Sequence, residues 1–248
     1  MWSRRQDGPV TTLAFDAPPA NQLSLEGLAE LDALLQQVAQ DARSTVVVVA
    51  SERPGMFIAH ADRDDVVQLR AGAIPPESFE RWMWTLLRLE SLPQPVVAAV
   101  DGQAWGGGCE LSLACTFRLC SPRAHFAQHE ILRGAIPGAG GTQRLTRLLG
   151  PSQAARMVLT GCVVEAPEAV RIGLADALLE EQDFMAAVQA WVEPLAERPR
   201  AALVAAKRAL VEGPRMPFVD GLRFEQRLFR ELVAGADAED DSGVRPST

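Results

Sequence analysis

Apolar residues recur along this chain in two rhythms. Leu25, Leu28, Leu31 and Leu35 fall close to helical spacing behind Ser24, a residue suited to capping, so a helix is predicted from there to about Gln40. The segments 45–51 and Val96–Val100 are continuous apolar runs without polar alternation, the pattern of strands buried on both faces. Val10–Phe15 reads as a strand broken off by Pro18-Pro19-Ala20-Asn21, and Phe117–Cys120 reads as another. Between them lie an irregular loop at 52–62, helical patterns around 66–69 and 77–90, and a helix beginning near Gly107. Strand, helix and strand repeated in this way imply right-handed crossovers and a largely parallel sheet.

Beyond residue 136 the rhythm becomes almost wholly helical, with segments at 137–149, 151–159, 167–172, 184–196, 201–211 and 218–234. Their prolines fall at or near first turns, where the missing N–H costs little. From Gly235 the chain is small, polar and acidic, the composition of a disordered tail. The predicted organisation is an α/β core over 1–195, a C-terminal helical region over 196–234 that packs on the core or on another subunit, and a tail over 235–248.

Composition narrows the function classes. The 248 residues are 48% hydrophobic and 23% charged, as in a soluble globular chain, and no apolar run is long enough to span a bilayer. The start of the chain shows no secretory signal, and a cytoplasmic location is expected. A net charge of −8 argues against nucleic-acid and anionic-membrane surfaces. Lys207 is the single lysine, so positive charge is almost all arginine, which suits planar recognition of phosphate. Cys109, Cys115, Cys120 and Cys162 lack metal-site spacing and are expected as buried free thiols, with no metal.

The candidate chemistry centres on Glu110 and Glu130. Glu110 ends Trp105-Gly106-Gly107-Gly108-Cys109-Glu110, a glycine run that follows a strand and opens a helix. Its N–H groups are unpaired donors at the positive end of a helix dipole, and Glu110 lies about one turn further on the same face. One short segment can thus supply an oxyanion donor and a carboxylate; equally, the glycines can serve close strand–helix packing, with Glu110 in solvent. Paired carboxylates divide acid and base work when their environments differ. A second donor can come from the loop Met56 to Asp62, which leaves the carboxyl end of a buried strand. Histidines 60 and 129 titrate near neutrality, though a packed or solvent-facing role explains each as simply. The stretch Pro137-Gly138-Ala139-Gly140-Gly141 can hold an anion at a helix start or act as a packing device, with Thr142, Gln143 and Arg144 as supports. Trp82, Met83 and Trp84 can wall a pocket or pack in the core.

At these residues the chain resembles the enoyl-CoA hydratase/isomerase (crotonase) family, over roughly residues 8–234. The most specific stretches are Gly106 to Leu111 and Glu130-Ile131-Leu132-Arg133-Gly134-Ala135-Ile136-Pro137-Gly138-Ala139-Gly140-Gly141-Thr142-Gln143-Arg144-Leu145, with weaker matches at 57–62, 19–24 and 173–176. The resemblance implies a crotonase-like β-β-α spiral core of class α/β, a C-terminal helical trimerisation region, a homotrimer or dimer of trimers, and acyl-CoA thioester substrates. It places the oxyanion hole at the N–H groups of Ala61 and Gly107 and the acid/base pair at Glu110 and Glu130. Ala59, His60, Asp62, Arg63, Gly106, Pro137 and Gly138 fall at substrate-binding positions. No cofactor is implied, because the CoA belongs to the substrate.

The chain departs from the family pattern at His60, where glycine is usual, and at His129, where relatives often carry proline. The basic residue that in relatives follows the Ala-Asp pair and helps hold CoA phosphate is not cleanly matched in Asp62-Arg63-Asp64-Asp65, where Arg63 is the candidate, and the acidic segment from Gly235 replaces the family's closing helix. Keeping both glutamates favours hydration of a trans-2-enoyl-CoA. The alternatives are another reaction through the same thioester enolate (isomerisation, decarboxylation, hydrolysis) and a non-catalytic acyl-CoA-binding protein.

Overall fold

The computed structural model describes residues 1–180 and 182–240, with side-chain surroundings up to Gly235; segment 241–248, most of the expected tail, lies outside the described residues. The chain divides into two compact units, the first Met1–Ala196 and the second from Glu197 onward.

In chain order the first unit holds β1 (Trp2–Asp7), β2 (Val10–Phe15), β3 (Gln22–Leu23), α1 (Leu25–Gln40), β4 (Val46–Ser51), β5 (His60–Ala61), α2 (Arg63–Arg70), α3 (Glu80–Glu90), β6 (Val96–Val100), β7 (Gln103–Trp105) and α4 (Gly107–Ala114). It continues through β8 (Phe117–Cys120), β9 (His125–Ala127), α5 (Gly141–Thr160), β10 (Val163–Glu165), α6 (Ala166–Arg171), β11 (Ala177–Leu178) and α7 (Phe184–Ala196). The main sheet has the order β1-β2-β4-β6-β8-β11, parallel except at the β1–β2 hairpin. A second sheet runs β10-β9-β7, and β3 pairs with β5 in a short parallel ladder.

Successive residues of a strand point to opposite faces, and both faces of this sheet are covered. Val47, Val49, Val96 and Ala98 face Leu28, Leu31 and Leu35 of α1, Leu86 and Leu89 of α3 and Leu111 of α4. Val46, Val48, Val97 and Ala99 face Phe184, Val188 and Val192 of α7. Full burial of each valine, leucine or phenylalanine among them contributes about 1.5–3 kcal/mol. Ser24 caps α1 as its spacing predicts, accepting the Gly27 N–H at 3.1 Å.

The differences from the sequence reading have physical causes. β1 escapes notice because Trp2–Asp7 carries no apolar alternation; it is a half-exposed edge strand. The loop at 52–62 contains the two-residue β5, and the link from β6 to the glycine run contains β7; strands this short leave no periodicity to read. Helix α5 begins at Gly141, four positions later than expected, because residues 137–140 are held as a loop by the site described below. It breaks at Gly150 (φ 77°), where the sequence separates two helices. Cys109, Cys115 and Cys120 are buried, whereas Cys162 is partly exposed.

The second unit contains α8 (Arg200–Glu212) and α9 (Phe218–Asp240), so helix continues past Gly235. Ala205, Phe224 and Leu228 form its small core. Leu210, Phe218, Leu222 and Phe229 are exposed at 72%, 80%, 44% and 65%, a large apolar face for so small a unit. Among the described residues no helix is long and apolar enough to cross a membrane.

Candidate active site

The glycine run is shaped by its neighbours. Gly106 adopts φ 50°, a region open to glycine, and the first turn of α4 follows. A methyl group on Gly107 would meet the Trp82 ring at 2.6 Å and the Ala61 nitrogen at 3.2 Å. The amides of Ala61 and Gly107 therefore border one space. Gly108 is pressed on the Ile58 carbonyl, where a β-carbon would sit at 1.7 Å. Trp82 is buried against this turn, while Met83 and Trp84 are exposed at 39% and 60%, which assigns the three predicted wall residues to different surroundings.

The loop carrying Ala61 is pinned by a buried side chain. Asn21 accepts the Ala17 N–H at 2.9 Å and donates to Ser51 Oγ at 3.0 Å and to the Phe57 carbonyl. Its own carbonyl accepts the Ala59 N–H at 3.0 Å, and Leu23 accepts that of Asp62 at 2.9 Å. Asp62 itself caps α2, accepting the N–H groups of Asp64 at 2.8 Å and Asp65 at 3.2 Å.

Glu110 is 3% exposed, on a helix whose residues are all buried. Its Oε1 accepts two backbone N–H groups, from Ala139 at 2.7 Å and Gly141 at 2.8 Å. Arg144 secures that loop, donating to the Ala139 carbonyl at 2.8 Å and to Glu90 at 2.9 Å. The glycine-rich stretch thus does hold an anion, and the anion is Glu110. Pro137 is buried under this loop; Gly138 is exposed, with open space around it.

Glu130 opens a 3-10 turn, Glu130–Arg133, and its Oε1 lies 2.8 Å from where a β-carbon on Gly106 would stand. Gln128 is fully buried, and with its amide nitrogen toward Glu130 it donates to both carboxylate oxygens, at 3.1 and 3.2 Å. The same carboxamide packs against Gly141, so it lies between the two acidic groups. Burial, and next the charge on Glu130, raise Glu110 to about 7, against the lowering effect of its two N–H donors. Burial raises Glu130 as well, opposed in part by the charge of Arg133. The arrangement brings together two carboxyl groups that ionise reluctantly, near the turn where the Ala61 amide meets Gly107.

His60 shares this space. Its Nδ1 also lies 2.8 Å from the β-carbon position at Gly106, and its Nε2 is buried without a partner. All three histidines gather around Trp105: His60 at 5.9 Å between ring centroids, His125 at 5.2 Å and His129 at 4.3 Å, with Trp105 Nε1 donating to His125 Nδ1 at 2.8 Å. Burial, aided by the charges of Arg133 and His129, lowers His60 to about 4, so it is neutral at pH 7. A cavity of about 500 Å³ opens beside His60 and Ala61, and Arg63 is on its rim. Among the described residues no cluster of three His, Cys, Asp or Glu side chains is placed to hold a metal ion.

Sequence reasoning missed Asn21, Gln128 and the roles of Ala139, Gly141 and Trp82. A buried asparagine after two prolines and a glutamine two residues before Glu130 were the available signals, and neither identifies its partner.

A family model for enoyl-CoA hydratase/isomerase matches residues 5–245. Among curated proteins, the chain is 31% identical to a short-chain-enoyl-CoA hydratase of Clostridium acetobutylicum, covering 95% of this chain and 90% of that protein. It is also 31% identical to a crotonyl-CoA hydratase of Syntrophomonas wolfei, over 93% and 89% of the two chains. Among solved structures, an enoyl-CoA hydratase from Bacillus anthracis superposes with a TM-score of 0.88 at 32% identity, covering 97% of this chain and 96% of that one.

Proposed function

Because the chain belongs to the enoyl-CoA hydratase/isomerase family, we propose that it is a hydro-lyase adding water across the double bond of a trans-2-enoyl-CoA thioester. The observation that carries this reading is the pair of carboxyl groups, Glu110 and Glu130, both raised by burial and close enough for the charge of Glu130 to raise Glu110, with the Ala61 amide against the neighbouring Gly107.

In this reading the thioester carbonyl oxygen lies between those two N–H groups, which stabilise the enolate formed when the β-carbon is attacked. One such donor is typically worth about 3–4 kcal/mol in the transition state. Glu110 has Oε1 occupied by Ala139 and Gly141, leaving Oε2 to take a proton from the attacking water. The hydroxide adds to the β-carbon as Glu130, steadied by Gln128, gives its proton to the α-carbon. Glu110 then carries a proton and Glu130 a charge, and proton exchange between them resets the pair. A base that titrates near the working pH suits such a step.

The CoA belongs to the substrate, and the reading includes no resident cofactor or metal. A homotrimer or dimer of trimers is part of it, supported by the exposed apolar residues of α8 and α9. So is a cytoplasmic location, in keeping with the free thiols. The test is to incubate the purified protein with crotonyl-CoA and follow loss of the conjugated double bond. Turnover that disappears in Glu110→Gln and in Glu130→Gln supports hydration; double-bond migration without water uptake, or binding without turnover, overturns it.

A further inference from the structure

One flank of this site carries three arginines that form no ion pair among the described residues. The cavity beside His60 and Ala61 lies between α2 and the turn after Glu130, and is lined by Arg63, Arg70 and Arg133. Val66 and Val67 supply apolar wall. Arg70 donates to the Arg133 carbonyl at 3.0 Å, which ties the two sides of the cavity together.

Arginines elsewhere in this unit are mostly paired: Arg4 with Asp41, Arg53 with Asp16, Arg88 with Asp32, Arg123 with Asp101 and Arg144 with Glu90. Among the described residues, none of the three cavity arginines forms an ion pair. Of the nearby acids, Glu130 feels the charge of Arg133, and neither it nor Asp62, Asp64 or Asp65 is in salt-bridge contact with the three among the described residues. Asp62 is engaged with the Asp64 and Asp65 amides, and Asp65 accepts the Leu25 N–H at 2.7 Å. Three unpaired guanidinium groups around one cavity, in a chain of net charge −8, mark a place for an anion.

We propose that this cavity receives an acyl chain ending in a carboxylate, with its methylenes along Val66 and Val67 and its carboxylate on Arg133 and the neighbouring Arg70 or Arg63. The substrate class is then the monothioester of an unsaturated dicarboxylic acid. This deepens the hydratase reading and rests on it for the reaction. The cavity belongs to the acyl side because it adjoins Ala61, where that reading places the thioester carbonyl. Arg133 stands three residues after Glu130, and its charge reaches Glu130, His60 and His129. The pantetheine arm sets the CoA phosphates many bonds away from that point.

Saturated thioesters, which cannot be hydrated, test the site independently of turnover. Calorimetric titration with glutaryl-CoA and pentanoyl-CoA, equal in chain length, should show the acid bound about tenfold or more tightly, the scale of a charge-assisted contact. Arg133→Leu and Arg70→Leu, each checked for fold by circular dichroism, should bring that ratio close to one, and the preference should persist in the corresponding pantetheine thioesters. Equal or tighter binding of pentanoyl-CoA overturns the proposal. So does a loss in Arg133→Leu that falls equally on both CoA thioesters and vanishes with pantetheine, since the arginines would then hold a CoA phosphate. Failure of the hydratase reading looks different: crotonyl-CoA and the unsaturated acid thioester are both left unreacted while the glutaryl preference stands.

Discussion

Gly141 donates its backbone N–H to Glu110 Oε1 at 2.8 Å, across 31 residues of sequence, and Ala139 adds a second donor at 2.7 Å. The carboxylate is therefore a structural keystone for the loop as well as a chemical group. Glu110→Gln keeps an oxygen for both donors, so it should fold normally while kcat falls by about 10²–10⁴. Glu110→Ala leaves two buried N–H groups unsatisfied and should lose a further 1–3 kcal/mol, approximately, in denaturant titration. Equal stability of the two variants would contradict the role given to these bonds.

Burial raises Glu110 to about 7, and the sign of the pH effect follows. Between the ordinary carboxylate range and about pH 7 the folded chain holds a proton that the unfolded chain has released. Stability from this group is thus present at low pH and lost as pH rises through about 7. Glu110→Gln, with no charge to bury, should gain thermal stability over the parent at about pH 8 and not at about pH 4. On the acid limb activity runs the other way, because the base must be ionised: kcat should rise with pH through about 7 and fall again at higher pH, where Glu130 loses the proton it delivers.

Gly107 admits no side chain while Trp82 stands against it, 2.6 Å from where a methyl carbon would sit. Gly107→Ala should lower both stability and activity. Adding Trp82→Leu should recover the melting temperature but not the activity, because the methyl still crowds the Ala61 amide at 3.2 Å. Full recovery of turnover in the double variant would show that the space between these amides is not where the thioester is held.

His60 is held neutral, at about 4, by burial and by the charges of Arg133 and His129. Its contribution to stability is present above the usual histidine range and lost as pH falls through about 4. Proton NMR should find one imidazole titrating below about pH 5. His60→Gln should flatten the loss of stability between about pH 6 and pH 4; an unchanged slope would place the acid sensitivity elsewhere.

Arg118 supports the helix that carries Glu110. It donates to the carbonyls of Cys115 at 2.9 Å and Leu174 at 2.7 Å and pairs with Asp176 at 3.2 Å, with 5% of its side chain exposed. Arg118→Met strands buried carbonyls and one carboxylate, and should cost about 3–5 kcal/mol in chemical denaturation. Asp176→Asn, on the more exposed partner, should cost less.

Much of the architecture was legible because it is local. Residues 25–40 form a helix from their own spacing and cap, and 96–100 form a strand from an unbroken apolar run. Glu110 and Glu130 were legible through the motifs around them. The helix expected at Pro137 starts only at Gly141 because a tertiary bond competes with helix formation: the Ala139 and Gly141 amides turn to Glu110, and Arg144 takes the Ala139 carbonyl. Short strands such as β5 and β7 exist only through their partners, so nothing in their own residues announces them.

What the sequence determined by itself was periodicity and composition: which segments could bury a face, where glycine allowed a close approach, and that positive charge would be arginine. Only tertiary structure decided which groups share a space. It set Glu110 under the Ala139–Gly141 loop, placed His60 beside Glu130 and left Arg133 facing an open cavity. The reason is physical: apolar burial acts on every residue according to its own type, whereas desolvation and hydrogen bonding at the site depend on neighbours that the fold alone brings together.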